Sequence, residues 1–403
     1  MRVASLDLIR GVAVLGILAI NVAGFVGPSI ATLSPQLAYP ADRWDEAAHA
    51  FGFLFFEGKM RALFAMLFGA SMALFLERAG ATGDDGDLLQ LRRLGWLLMF
   101  GVLHYVLLWW GDILFAYAAC GMVLLLFHRA PTGSLATGAV ALYVVLSLAG
   151  TLAALPLASA EEAVRLGTAD PQQGKAVAEY HGFVARAAAG ELRQYAGGFA
   201  HILAVKLRDH PFWLLEGVRD GFGEFLPLMA IGMALQRSGF FTGQWHRRTM
   251  LALGPGGTAA GLAATILALS WLWPRHFPVI AMDMALRHAM ALPHLVTALG
   301  YAALLVLATP RLAPTWLGQR LIAAGQMAFS NYLGMSVVMT AIFYGWGLGL
   351  FCQVGPARQW LFVALGWSLM LGWSAPWLSR FRRGPLEWLW RSLTERRRLP
   401  NRR

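Results

Sequence analysis

The chain reads as an all-α, polytopic membrane protein of about ten transmembrane helices, with both termini on the cytoplasmic side. Three observations predict this. Of 403 residues, 58% are hydrophobic and 14% charged, with a mean hydropathy of +0.55; a soluble chain carries about a quarter charged residues. The apolar residues gather in runs close to the ~20 residues that a bilayer requires. The arginines gather at alternate ends of those runs, as the positive-inside rule demands.

In order, the runs are 6–27, 49–76, 94–110, 113–128, 138–157, 212–236, 249–273, 290–309, 321–348 and 360–378. The first lacks a small-x-small cleavage site, so it reads as a retained span and not a signal peptide. The second and ninth are longer than one straight crossing needs and read as tilted or broken. The sixth is polar in its first half and apolar from Phe225 to Leu235. The seventh opens on Gly254-Pro255-Gly256-Gly257, a flexible helix start with no neighbouring Lys-Ser/Thr of a phosphate-binding loop.

With the N-terminus inside, cytoplasmic segments hold Arg2, Arg10, Arg78, Arg92, Arg93, Arg129, Arg237, Arg247, Arg248, Arg311 and Arg320, and the tail adds nine arginines from Arg380 to Arg403. Short loops on the other side hold Arg43, Arg275 and Arg358. Anionic lipid headgroups are the expected partners of this net charge of +11, and nucleic acid is not. A second copy of the chain stays open as a partner. The chain divides into a membrane block 1–158, an extracytoplasmic insert 159–211, a second block 212–380 and a basic tail 381–403. Within the insert Val177, Tyr180, Val184, Ala188, Leu192, Tyr195, Phe199 and Leu203 recur at helical spacing. They predict an amphipathic helix lying on the outer surface or lidding the bundle, with Arg186, Arg193 and Lys206 on its polar surface.

An ionisable residue at the bilayer centre costs roughly 2.5–3.5 kcal/mol, so intramembrane charges face cavities or one another. Asn21 lies near the outer end of the first run, Glu57, Lys59 and Arg61 in the outer half of the second, His104 late in the third, and Asp112 just before the fourth. Their similar depth predicts one outward-opening site. Glu216, Asp220 and Glu224 are four residues apart and share a helix face, which should turn toward the same cavity. Plainer roles stand beside these: an inter-helix hydrogen bond for Asn21 and for the mid-membrane Asn331, structural ion pairs for Lys59 and Arg61, a satisfied inter-helix histidine at 104, and helix capping for Asp112. No metal is expected, because His246, His276, His288 and His294 lack partner acids at ligand spacing.

These residues resemble a known family. Ser5-Leu6-Asp7-Leu8-Ile9-Arg10-Gly11 followed by Asn21, Gly58-Lys59-Met60-Arg61 leading to Leu67-Phe68-Gly69, and Gly101-Val102-Leu103-His104 with Gly111-Asp112 and Tyr117 resemble the YeiB-like bacterial inner-membrane proteins. Gly325-Gln326-Met327-Ala328-Phe329-Ser330-Asn331, Phe343-Tyr344-Gly345-Trp346-Gly347 and Gly384-Pro385-Leu386-Glu387-Trp388 resemble that family's domain of unknown function 418. Its Arg-Gly…Asn opening is in turn similar to the transmembrane acyltransferase superfamily, which takes an acyl group from cytosolic acyl-CoA to an acceptor across the membrane. The acyltransferase-3 pattern has a His near the place of Asn21. The heparan-α-glucosaminide N-acetyltransferase pattern has one in the loop before the second helix, where residues 28–46 contain none.

What the resemblance implies is acyl transfer in the bacterial inner membrane, with acyl-CoA as a co-substrate and no tightly bound cofactor. His104 is then the expected general base, with His49 as its alternative, Asp112 orients it, and Asn21 donates to the developing oxyanion. Glu57, Lys59, Arg61, Glu216, Asp220, Glu224 and Asn331 form the expected substrate-binding set, and Arg10, Arg92 and Arg93 the cytoplasmic rim for the donor, joined there by Glu387–Arg391 of the tail. The competing class is a transporter of an amphiphilic anion, in which the same cluster binds and does no chemistry. A structural role in the envelope would leave the cluster tolerant of alanine.

Overall fold

The computed structural model describes residues 3–37, 40–82 and 85–403, without the side chains of 81 and 82; Arg2 lies outside the described residues. Among these the chain is helical and forms no named strand. The first block holds α1 (Ala4–Val26), α2 (Arg43–Phe55), α3 (Lys59–Thr82), α4 (Gly86–Leu107), α5 (Leu114–Phe127) and α6 (Thr132–Leu166). The insert holds α7 (Pro171–Ala196) and α8 (Phe199–Asp209). The second block holds α9 (Trp213–Arg237), α10 (Arg247–Leu251), α11 (Thr258–Leu272), α12 (Val279–Met284), α13 (Ala291–Leu312), α14 (Trp316–Gln326), α15 (Ala328–Phe343) and α16 (Pro356–Arg380), and the tail holds α17 (Pro385–Thr394).

Six stretches are long and apolar enough to cross a membrane: α1, α2 with α3, α6, Arg247–Arg275, α13 and α16. The pair α14 and α15, bent by 84°, makes a seventh when taken as one span. The expected runs at α4, α5 and α9 are helical but outside that set. α5 has 14 residues; α4 opens with Asp87, Arg92 and Arg93 and α9 with Glu216, Arg219, Asp220 and Glu224, which lowers their hydropathy.

Two long runs are broken, each for a local reason. Between α2 and α3 the backbone turns at Gly58, whose φ is +69°; only glycine takes this conformation without strain. The His294 ring occupies the place of a Cβ there. Between α14 and α15 the C-cap Met327 leaves the helical region, and the Asn331 side chain donates at 3.0 Å to the Ala324 carbonyl, which also accepts from the Met327 amide at 3.2 Å.

The helices that carry the sequence motifs touch backbone to backbone. A Cβ at Gly69 of α3 would collide with the Met229 carbonyl of α9, and one at Gly232 of α9 with the Met66 carbonyl of α3. Gly11 of α1 meets the Leu321 carbonyl, and Gly325 of α14 meets the Asp7 carbonyl in return. Such glycines let packing and Cα–H contacts replace a hydrophobic driving force that lipid does not supply.

The insert caps the end of the bundle opposite the start of α1. Val177, Val184 and Tyr195 are buried as their spacing requires, whereas Leu192 and Phe199 are exposed. The single expected helix is two, because Gly197 and Gly198 are extended. Glu191 accepts from the Ser29 amide at 2.8 Å, and Tyr195 stacks on Tyr344 at 4.4 Å. Lys206, expected on the surface, is 1% exposed. Its ammonium donates to the carbonyls of Tyr105 and Leu108 at 2.7 and 3.3 Å, the end of α4, where helix carbonyls lack intrahelical partners.

Burial pushes the Lys206 ammonium from its usual 10.5 down to about 7. Between those values the unfolded chain holds a proton that the folded one lacks, so docking of α8 should strengthen as pH rises from about 7 toward 10. Lys206→Met should abolish that rise and, by stranding two carbonyls, cost about 1–3 kcal/mol. Limited proteolysis across Gly197–Asp209 as a function of pH reads both effects.

Candidate functional site

His104 lies in the last turn of α4, where α5 turns back against it. Gly101, one turn earlier, permits that approach: a Cβ there would stand 2.5 Å from the Phe115 nitrogen and 2.8 Å from Asp112 Oδ1. Asp112 Oδ1 accepts from the Phe115 amide at 2.8 Å, capping α5, and Oδ2 accepts from His104 Nδ1 at 2.7 Å. Both side chains are fully buried. With Nδ1 donating to Asp112, Nε2 is left as an acceptor, and Ser336 Oγ of α15 donates to it at 2.8 Å. A carboxylate, an imidazole and a hydroxyl thus form one chain of hydrogen bonds across three helices, in the order that activates a hydroxyl oxygen.

The Tyr332 ring lies 5.1 Å from the His104 ring, and its hydroxyl donates to the Gly111 carbonyl at 3.2 Å. Tyr332 also lines a large cavity. This cavity has a volume of about 920 Å³ and runs from the first turns of α1 to Leu114 and Tyr117 of α5. The exposed Arg391 and Arg397 mark its mouth, Arg10, Arg93 and Arg383 line it as well, and Phe64, Phe68, Leu97 and Phe329 make up an apolar part of its wall. Arg10 is fixed by Asp7 at 3.1 Å and Ser71 at 2.9 Å, and Gln326 holds Asp7 at 3.1 Å. Arg93 is stacked between Phe75 and Trp390.

On the far side of Tyr332 a void of about 10 Å³ is lined by Asn21, Asn331, Tyr332 and Ser336, about the size of one water. The Asn21 amide has no hydrogen-bond partner among the described residues and faces this void with Ser336. Asn331 is an inter-helix joint. Its Nδ2 donates to Ala324 and Ser374, and its Oδ1 accepts from Trp373 at 2.7 Å.

The second charged motif forms a separate group. Arg61 bridges Glu57 at 2.9 Å and Glu224 at 2.8 Å. Lys59 is wholly buried and donates to the Phe53 carbonyl at 2.7 Å, over the Phe53 ring. The Nε2 atoms of His294 and His49 are buried without a partner among the described residues. His49 and Glu57 line a cavity of about 80 Å³ with Ser34, Gln359 and Trp360.

The single outward site expected from depth is therefore two sites. His104, Asp112 and Asn21 gather around Ser336, and Glu57, Arg61 and Glu224 around the α2–α3 turn. Equal depth places residues on one layer of a bundle and leaves open which helices are neighbours. Of the acidic stripe only Glu224 joins the cations. Glu216 is exposed, and Asp220 pairs with Arg219 at 2.9 Å and Arg287 at 3.5 Å. Arg10 and Arg93 line the large cavity, but Arg92 donates to the Thr394 carbonyl at 3.1 Å. Glu387, expected in a basic rim, turns inward and accepts from the Ser330 amide at 3.0 Å and hydroxyl at 2.5 Å. Burial pushes its carboxyl above the ordinary value, against the hydrogen bonds from Ser330. Tyr332 belongs to the stretch Gly325–Leu333 that resembles the family but is not among the expected site residues, and Ser336 has no signal at all; a serine one turn beyond a tyrosine in an apolar helix carries no pattern of its own.

Arg61→Met should leave two carboxylates facing each other without their cation and cost about 3–5 kcal/mol. Adding Glu57→Gln and Glu224→Gln to it should restore most of that loss. Thermal unfolding in nanodiscs compares the two; equal instability would show that packing and not charge balance sets the cost.

A family model described as "Protein of unknown function (DUF418)" matches residues 235–397. The uncharacterized protein YxaH of Bacillus subtilis (strain 168) is 32% identical over 400 residues, spanning 98% of this chain and 94% of its own length. The uncharacterized protein YeiB of Escherichia coli (strain K12) is 33% identical over 404 residues, spanning 98% and 97%. No solved structure matches the chain. Matched along nearly their whole lengths at 32% and 33% identity, these relatives show that the chain belongs to their family, the DUF418 proteins.

Proposed function

We propose that this protein is a transmembrane acyltransferase that takes an acyl group from a cytosolic acyl-CoA. Counting α4, α5 and α9 with the seven stretches above gives ten crossings of a bacterial inner membrane. Both termini then lie inside, and the tail arginines meet anionic headgroups. In this topology the large cavity opens to the cytoplasm and the insert lies outside.

The observation that carries the reading is the cavity's polarity. Its lining arginines suit the phosphates of a nucleotide, and its apolar wall suits a pantetheine arm. Tyr332, in its lining, packs on His104. Beyond Tyr332 lies a void of about 10 Å³, which suits a short acyl group. His104 acts as general base toward the acceptor hydroxyl or amine, Asp112 positions it, and the Asn21 amide donates to the oxyanion. Acyl-CoA is a co-substrate, and no tightly bound cofactor takes part. The half-buried Glu57–Arg61–Glu224 chain, which lies apart from that cavity, favours a second reading, export of an amphiphilic anion without chemistry.

Radiolabelled acetyl-CoA, incubated with the full-length protein in nanodiscs and a lipid and glycan extract of the membrane, separates the two. Transfer of label to an extract component is expected, and retention of all label in acetyl-CoA contradicts it. Arg93→Gln should weaken acetyl-CoA binding about tenfold, the worth of one charge-assisted hydrogen bond. Unchanged binding in that variant would move the donor out of this cavity.

A further inference from the structure

We infer that Ser336 is the nucleophile of a two-step reaction, so that the protein carries the acyl group covalently between donor and acceptor. This rests on the acyl-transfer reading and adds to it the residue that bears the group.

The geometry points there from three sides. The Ser336 hydroxyl is 1% exposed and 2.8 Å from His104 Nε2, the imidazole's free acceptor. The other imidazole nitrogen is held at 2.7 Å by a carboxylate that the Phe115 amide fixes in turn. A base held in one tautomer by a third group is the arrangement that turns a weak hydroxyl into a nucleophile. A serine that served only to satisfy its own helix would need just the i−4 carbonyl. Here that contact, to Tyr332, is the long one at 3.3 Å. Finally, the uncommitted Asn21 amide shares a small void with Ser336, where a tetrahedral oxyanion needs a donor.

In the first step Ser336 Oγ attacks the thioester carbonyl and gives its proton to His104 Nε2. The C–S bond breaks, and the thiolate of coenzyme A leaves with that proton as the thiol. In the second step an acceptor hydroxyl or amine attacks the Ser336 ester, and His104 takes its proton. The C–O bond to Ser336 breaks, and His104 returns the proton to Ser336 Oγ. Tyr332 separates the donor cavity from Ser336, so its ring must swing aside for the thioester to reach the hydroxyl. Holding the acyl group on the protein lets the nucleotide and the acceptor stay on their own sides.

The test uses the full-length protein in nanodiscs with two acyl donors: p-nitrophenyl acetate, which needs no nucleotide site, and radiolabelled acetyl-CoA. With p-nitrophenyl acetate the wild type should release a burst equivalent to one p-nitrophenol per protein and acquire one acetyl group on the peptide that contains Ser336. Ser336→Ala and His104→Gln should lose the burst. Ser336→Cys should retain the label as a thioester cleaved by neutral hydroxylamine, a chemical signature that a merely structural serine would not give. Label on another residue, or an unchanged burst in Ser336→Ala, overturns the inference. Acetyl transfer from acetyl-CoA at the wild-type rate in Ser336→Ala also overturns it, while leaving acyl transfer itself intact. Labelling of Ser336 by p-nitrophenyl acetate but not by acetyl-CoA sustains the nucleophile and removes the nucleotide donor.

Discussion

An imidazole inside an apolar helical bundle is held most firmly when both of its nitrogens find partners in the protein. His104 meets this with Asp112 on one side and Ser336 on the other, and that pair of hydrogen bonds ties α4, α5 and α15 together. Asp112 serves two groups at once, since its second oxygen ends the search of the α5 N-terminus for an acceptor. Gly101 exists in this account to let that carboxylate come close. Removing any one member leaves buried polar atoms without partners, so the same links that could run chemistry also hold the bundle's register.

The large cavity depends on a second set of polar constraints at the other end of α15. Its N-terminus, freed by the 84° bend from α14, receives the carboxylate of Glu387 from the tail. An acid at this place meets both the unpaired amides and the positive end of the helix dipole. The tail is thereby docked as one wall of the cavity, bringing Trp390 over Arg93 and Arg391 to the mouth. Opposite it, Gln326, Asp7, Arg10 and Ser71 form a chain of side-chain contacts. Arg10 and Arg93 are thus held by an acid and by rings, which lowers the entropy lost when an anion binds.

The helical class and most of the long apolar helices were legible in the sequence because apolar length is a one-dimensional signal. The pairing of His104 with Asp112 was legible too, since a turn of a few residues must bring the end of α4 beside the start of α5. The misplacements share one cause. Helical spacing says that Glu216, Asp220 and Glu224 lie on one face, yet only Glu224 sits deep enough to meet Arg61; the face leaves the bundle before the other two. Lys206 looked like a surface cation in an amphipathic insert, and only the Gly197–Gly198 break turns α8 so that it meets the end of α4. Ser336 carries no sequence signal, because serines are common in apolar helices and the hydrogen bond to α4 comes from packing 232 residues apart.

The central claim is that a donor threads from the basic mouth to the far side of Tyr332. A cryo-EM map of the full-length protein with a non-cleavable thioether analogue of acetyl-CoA tests it most directly. The account predicts nucleotide density among Arg10, Arg93 and Arg391, the arm along Phe64 and Phe329, and the analogue's carbonyl between Asn21 and Ser336 with the Tyr332 ring displaced. An empty cavity at saturating analogue, or the analogue bound at the insert-covered end, would contradict it.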